Sequence, residues 1–257
     1  MMQRFIEELT NWIKDYVESF YSVDGDILTN IQLKEDHTRQ VALNCRYLAE
    51  NLGLPKHEQQ LAEIIGLLHD IGRFKQYAVY RTFRDSISEN HAMLGLKEIA
   101  GLPLLDKLSL TDRACLNFAI INHNAIAIAE EGLERQKLFA RIIRDADKLD
   151  IYRVLSPTIR PSDDQGYTPL YAEGLMAGKQ CDNSYIRTAD DRKLVRLTWL
   201  YDIHYVWTMK NIVKQGYVKE LVDSLPDDPK IMQAVQTLQS YIQAKIEQDT
   251  DYERFGR

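Results

Sequence analysis

Six side chains of this sequence have the types and the order to hold metal: His37, the adjacent pair His69-Asp70, His91, His123 and Asp147. Imidazole nitrogens mixed with carboxylate oxygens suit ions such as Mn, Fe, Ni and Zn better than calcium. The central pair closes an apolar run, with Ile64, Ile65, Leu67 and Leu68 ahead of it. Those four belong in a core, so His69 and Asp70 are expected to be at least partly buried. A buried carboxylate is costly unless a cation or hydrogen bonds compensate it. Gly72, two residues on, supplies backbone freedom for the chain to leave a helix. Two ligands do not complete a metal site, and the other four candidates lie far apart in sequence. Only a fold that brings several elements to one point can use them together.

Hydrophobic spacing supplies such elements. Phe5, Ile6, Leu9, Trp12, Ile13, Tyr16, Val17 and Phe20 form an amphipathic stripe over residues 3–21. Glu7, Glu8, Asp15 and Glu18 argue against a membrane-surface helix there. A second helix is expected from about Ile27 to Leu52, ended by Gly53 with Pro55 beyond. Leu33, His37, Val41, Cys45 and Leu48 fall on one face of it, which turns His37 inward. Taken alone, an inward histidine is more often a hydrogen-bonded core residue than a ligand. The third helix, residues 56–71, carries His69-Asp70, with His57 exposed at its polar start. Adjacent helical residues point about 100° apart, so the pair must reach different neighbours. Lys75 to Ser86 reads as a loop with Tyr77, Tyr80, Arg81, Phe83 and Arg84, either touching substrate or simply solvated.

Ser86 or Ser88 can cap a helix that ends near Gly101 and holds His91 in its first turns. Another begins near Thr111, with Leu116, Ala119, Ile120 and His123 along one stripe. In a helix over 135–155, Phe139, Ile143, Asp147 and Ile151 recur every four residues. An aspartate on an apolar face needs a partner, either a metal or a buried salt bridge, for instance with Arg144. Residues 156–170 are loop-like. One long helix is expected over 190–216, with His204 packed beside its apolar face. A last helix over 229–247 precedes a polar tail. No strand pattern or internal repeat is visible. The fold class is all-α: a compact helical bundle forming one domain over 1–257, with a metal-binding core at about 27–155 and a helical extension at about 156–257.

Read in order, the six residues spell H…HD…H…H…D. Over residues 37–147 this resembles the HD superfamily of metal-dependent phosphohydrolases, including the two further histidines of its binuclear members. The resemblance implies His37, His69, Asp70 and Asp147 on one metal, with the Asp70 carboxylate bridging to a second held by His91 and His123. Asp147 matches the closing aspartate better than its neighbours Asp145 and Asp150. The cofactor implied is a divalent metal (Mn, Fe, Ni, Zn or Mg), two ions per chain. The activity implied is hydrolysis of a small phosphomonoester, phosphodiester or nucleotide by a metal-activated water, and no serine or cysteine nucleophile motif competes with it. Asp70, His69 and Arg73 would be the catalytic residues. Many family members have lysine where this chain has Arg73, in His-Asp-x-Gly-Lys. Arginine keeps the charge and offers a planar fork to an anionic group. Lys148 and Arg84 are further candidates for that group, and a salt bridge at a helix end is the structural alternative for Arg73.

Departures from named subfamilies leave the substrate open. There is no Glu-Asp pair after the His-Asp, no Gly-Tyr-Pro triplet, no His-His doublet at 123–124 and no dNTP triphosphohydrolase signature. Two other classes fit the same residues. One is a di-iron oxygenase resembling myo-inositol oxygenase, since fold and ligands alone do not separate the chemistries. The other is a nucleotide-sensing module.

The 257 residues can bury a sizeable core, and 45% hydrophobic with 27% charged residues is ordinary for a soluble globular chain. A net charge of −6 argues against a general nucleic-acid binder, which carries a basic patch or stripe. Cys45, Cys115 and Cys181 are odd in number and show no C-x-x-C spacing, so reduced thiols in a cytoplasmic protein are expected. No signal peptide or membrane span is apparent. The expected partner is a small phosphorylated or nucleotide substrate, with a homo-oligomer left open.

Overall fold

The computed structural model describes residues 2–163 and 165–248, and among these there is no strand. The all-α expectation holds. The chain divides into two compact units, Met1–Asp150 and Ile151–Arg257. None of the described helices is long and apolar enough to cross a membrane.

In the first unit, helix α1 (Met2–Glu18) buries Phe5, Ile6, Leu9, Ile13 and Val17, the stripe its spacing predicts. Helix α2 (Gly25–Asn51) is capped by Asp24, whose carboxylate accepts from the amides of Asp26 and Ile27. Its buried face runs through Ile27, Ile31, His37, Val41, Cys45 and Leu48. Leu33 does not belong to that face, for it is 43% exposed. The stripe drifts by about 40° for every four residues, because 3.6 residues make a turn. Helix α3 (Lys56–Leu68) crosses α2 at Gly66, where an added Cβ would sit 2.6 Å from Ala42 Cα. The missing side chain lets the two backbones meet, which brings the end of α3 beside His37.

The expected helix over 56–71 and loop over 75–86 are both corrected. The chain breaks at Asp70 (φ −109°, ψ 15°) and starts a new helix, α4 (Ile71–Tyr80). That backbone region is sparsely populated and often occupied by active-site residues. Gly72 does not release a helix end. It lies inside α4, and a Cβ there would fall on the His91 carbonyl oxygen and within 2.5 Å of the Gly95 amide nitrogen. Gly72 and Gly95 therefore let α4 lie directly on helix α5 (His91–Ile99). The α4 C-terminus turns at Arg81 in the left-handed region (φ +55°), held by Asp24 at 3.0 Å.

Neither Ser86 nor Ser88 caps α5. Asn90 does, accepting from Met93 N at 3.0 Å, so His91 is the first helical residue. Asparagine at that position competes well with serine, and Ser88 is instead bonded to Gln76 and Arg84. Helix α6 (Leu110–His123) starts from a Ser109 cap, and helix α7 (Glu134–Leu155) follows.

In the second unit, helix α8 (Pro169–Met176) is followed by helix α9 (Ala189–Thr198), which opens on a capping box between Thr188 and Asp191. The single helix expected over 190–216 is broken. A 3₁₀ turn at Trp199–Asp202 and extended residues precede helix α10 (Val206–Lys214). Leu194 and Leu197 are buried in α9, Leu200 in the 3₁₀ turn and Ile203 just after it, so the apolar row continues across the break. Helices α11 (Tyr217–Asp223) and α12 (Pro229–Glu247) complete the unit. Buried Lys193 bonds Asp190 and the Ser224 carbonyl, both at 2.6 Å, so its charge is compensated. His204 lies half-buried in the non-helical stretch before α10. The polar tail expected after α12 falls on residues 249–257, outside the described residues.

Candidate metal centre

All six residues meet in the first unit. His37 comes from the inner face of α2, His69 and Asp70 from the break between α3 and α4, His91 from the first residue of α5, His123 from the last of α6, and Asp147 from α7. The five buried side chains are at most 4% exposed, and Asp147 is 16% exposed.

Asp70 is the centre of the group, and its two oxygens face different ways. Oδ2 lies 3.6 Å from both His37 Nε2 and His69 Nε2. Oδ1 lies 3.3 Å from His91 Nε2 and 3.6 Å from His123 Nε2. Asp147 Oδ1 joins only the first side, 3.1 Å from His37 Nε2 and 3.8 Å from His69 Nε2. His37, His69 and Asp70 form one group close enough to share an ion, and Asp70, His91 and His123 form another.

The outer nitrogens of the rings decide what the inner ones can do. His69 Nδ1 donates to the Gly66 carbonyl at 2.7 Å, and His123 Nδ1 to the Ile120 carbonyl at 2.6 Å. His37 Nδ1 donates to Asp150 at 2.6 Å, and His91 Nδ1 to Asp85 at 2.7 Å. Carbonyls and ionised carboxylates only accept, so in the neutral rings the proton sits on Nδ1 and a lone pair on Nε2. Four lone pairs then converge on one carboxylate. His91 Nε2 and His123 Nε2 stand 2.9 Å apart, acceptor against acceptor. The Nε2 atoms of His37 and His69 are buried without a hydrogen-bond partner. Lone pairs facing a carboxylate in this way suit divalent ions, and histidines backed by a carbonyl or carboxylate are how proteins present Nε2 to metal. The residues fit divalent ions.

Comparison with known proteins agrees. Residues 35–152 match the family model of the HD domain. This stretch, a little under half of the chain, is similar to HD domains. No curated protein and no solved structure matches the chain.

Charge around these six residues follows from the same contacts. Burial pushes the Asp70 carboxyl up, but Lys34, His69, His123 and Arg73 hold it well below the usual range. Burial likewise opposes ionisation of Asp147, and His37 and His69 overcome it. His91 is lowered to about 4, chiefly by burial, which keeps its ring neutral and its lone pair available. His37 moves the other way. Burial and Lys34 depress it, but Asp147 and Asp150 outweigh them, so the same carboxylates that would draw a divalent ion also draw a proton.

Arg73 reaches the centre but is already engaged. Its Nη1 donates to Gln76 Oε1, the Phe83 carbonyl and Asp85 Oδ1, while Nε lies 3.5 Å from Asp70 Oδ1. Lys148 is buried on α7, one residue past Asp147. Arg84 is exposed on the loop before α5. Arg144 donates to the carbonyls of Asn122, Ala125 and Ile126, fixing the chain just after His123.

Four residues that support the centre are absent from the sequence reading, and Asp150 appeared in it only as a neighbour of Asp147. Lys34 Nζ bonds Asp70 Oδ2 at 2.6 Å, and its place one turn before His37 was a usable signal. Asp85 backs His91. Fully buried Gln76 fixes that loop by donating to Asp85, Ser88 and the Glu89 carbonyl. Asn124 donates to Asp85 Oδ2 at 3.2 Å. Asp85, Gln76 and Asn124 carry no spacing that marks them.

Proposed function

We propose that this HD domain is a metal-dependent phosphohydrolase acting on a small phosphomonoester, phosphodiester or nucleotide. The observation that carries the reading is Asp70, whose two oxygens each face a separate pair of histidine lone pairs. A pair of divalent ions supplies an acidified water and charge to stabilise displacement at phosphorus. The chain's own part is to hold and orient. Asp150 and Asp85 aim His37 and His91, and the Gly66 and Ile120 carbonyls aim His69 and His123. Asp147 adds a carboxylate on the His37 side only, which leaves the His91 side with fewer protein ligands and more room for substrate oxygens. Arg84 is exposed, and Arg73 and Lys148 flank the metal residues; these three are the candidates for the substrate's anionic group, and Arg73 also braces Asp85. A net charge of −6 favours a small substrate over a nucleic-acid polymer.

The test is metal analysis of protein purified without added metal, followed by a Mn2+-supplemented panel of phosphomonoesters, phosphodiesters and nucleotides. Wild type should hold about two ions per chain and turn over at least one ester, as two-metal catalysis requires. Asp70→Ala should lose both. An Asp70→Ala variant with full metal content and full rate overturns the reading, and iron with oxygen consumption transfers the chain to the di-iron oxygenases.

A further inference from the structure

Lys34 lies in an unusual place for a lysine. Its ammonium bonds the Asp70 oxygen that faces His37 and His69, at 2.6 Å, and its side chain is only 17% exposed. The ammonium also stands over the Phe83 ring, 5.6 Å from its centre. A divalent ion shared by His37, His69 and Asp70 needs that same oxygen. We propose that Lys34 limits how tightly this side of the centre holds metal, so that loading follows the free metal concentration. The proposal rests on the metal-centre reading above.

Three physical routes give the same sign. If the ammonium stays when metal binds, two cations share one carboxylate oxygen and repel each other across a buried space. If it swings away, a charge-assisted hydrogen bond is lost. Before metal arrives, Lys34 compensates a buried carboxylate that would otherwise be costly, which stabilises the protein without metal. Stabilisation of the unloaded form that is lost on loading weakens binding by the same free energy. Lys34 therefore differs from Asp150 and Asp85, which hold imidazoles in the orientation a metal needs.

The experiment compares wild type, Lys34→Met and Lys34→Arg as full chains stripped with chelator. Mn2+ affinity is measured by competition with a chromophoric chelator, and melting temperature is recorded with and without Mn2+. Lys34→Met should melt lower when stripped and bind Mn2+ at least about tenfold tighter, the size expected for removing one buried cation from the site. Its gain in melting temperature on loading should exceed that of wild type. Lys34→Arg should stay near wild type. If stripped Lys34→Met does not fold, it is refolded with Mn2+ and the rate of Mn2+ loss to excess chelator is measured, with slower loss than wild type expected. Equal or weaker Mn2+ binding by folded Lys34→Met, or equal or faster loss, overturns the proposal while leaving the metal-centre reading intact. A wild type that binds no Mn2+ overturns both.

Discussion

Asp70 and Asp112 are both buried in the first unit with histidines in reach, yet only Asp70 has the surroundings of a candidate metal centre. Asp112 on α6 is 4% exposed, as well buried as Asp70 at 3%. It meets Arg135 at 2.5 Å and His57 at 3.1 Å, and Arg135 also bonds Glu58. It faces a cleft lined by Arg4, Phe5, Glu8, His57 and Ser109. A search for clefts with a histidine and an aspartate would choose this place. Yet its charges are paired with each other: acids meet donors at hydrogen-bond distance, and Glu8 takes Arg4 and Lys107. Around Asp70 acceptors gather instead: four imidazole Nε2 atoms face its two oxygens, and Asp147 stands beside His37 and His69. Proximity of His and Asp is common to both. An excess of inward-facing acceptors is what distinguishes a metal centre from an ion-pair cluster.

The largest effects should separate the two clusters completely. Asp70→Ala should remove bound metal and turnover, and leave Arg135, Glu58 and His57 as they are. Asp112→Ala should leave metal content per folded chain unchanged and cost about 1–3 kcal/mol of stability, because it strips the partner from a half-buried arginine. Urea unfolding and elemental analysis on both variants check this. If Asp112→Ala loses metal, the comparison fails.

A smaller effect is expected within the metal centre itself. Asp85→Asn keeps the shape beside His91 but removes the charge that fixes its ring. Loss of such a partner costs about 10- to 100-fold in metal affinity. The effect should fall on one ion, because Asp85 touches His91 and not His37. Calorimetric titration with Mn2+ should show one site near the wild-type affinity and one weakened. Equal weakening of both would mean that Asp85 acts through the fold, through its bonds with Arg73 and Gln76.

How much of this was legible in the sequence follows from where each signal lives. The six candidate metal residues could be read from their order, which resembles the HD pattern; taken alone, an inward His37 or an Asp147 on an apolar face fits an ordinary core contact as well. Helix positions were readable wherever apolar residues recur at three and four. The break at Asp70 was not, since Leu67 to Phe74 has no proline and the apolar pattern runs through it. What ends α3 there is tertiary: α4 must turn to lie on α5 at Gly72 and Gly95. Gly72 was noticed for flexibility, whereas its missing side chain is the property used. Leu33 shows the opposite error, an apolar residue assigned inward by a stripe that had already drifted. Asp85 and Gln76 contribute through contacts across a loop, and no periodicity announces those.

The smallest expected effect sharpens the comparison through pH. Asp112 is ionised in the folded protein below its ordinary range: burial opposes the charge, but bonds from Arg135, Ser109 and His57 outweigh it. Its folded value lies under the 3.8 of an ordinary aspartate, so the unfolded chain takes up the proton first as pH falls. The stability Asp112 contributes is complete above 3.8 and is lost as pH drops through the folded value. Asp112→Asn lacks this contribution at every pH. The stability gap between wild type and Asp112→Asn should therefore close as pH falls from about 4.5 through the folded value. Glu58 also faces Arg135, and its protonation in the same acid range acts equally in both proteins to first order. Urea midpoints at pH 7, 5, 4 and 3 on chelator-treated wild type and Asp112→Asn give the gap directly, and treating both proteins alike cancels the metal centre's own response to acid. A gap that widens below about pH 4.5 would mean that Asp112 is stabilised in its protonated form, and the paired-charge account of this cluster would then be wrong.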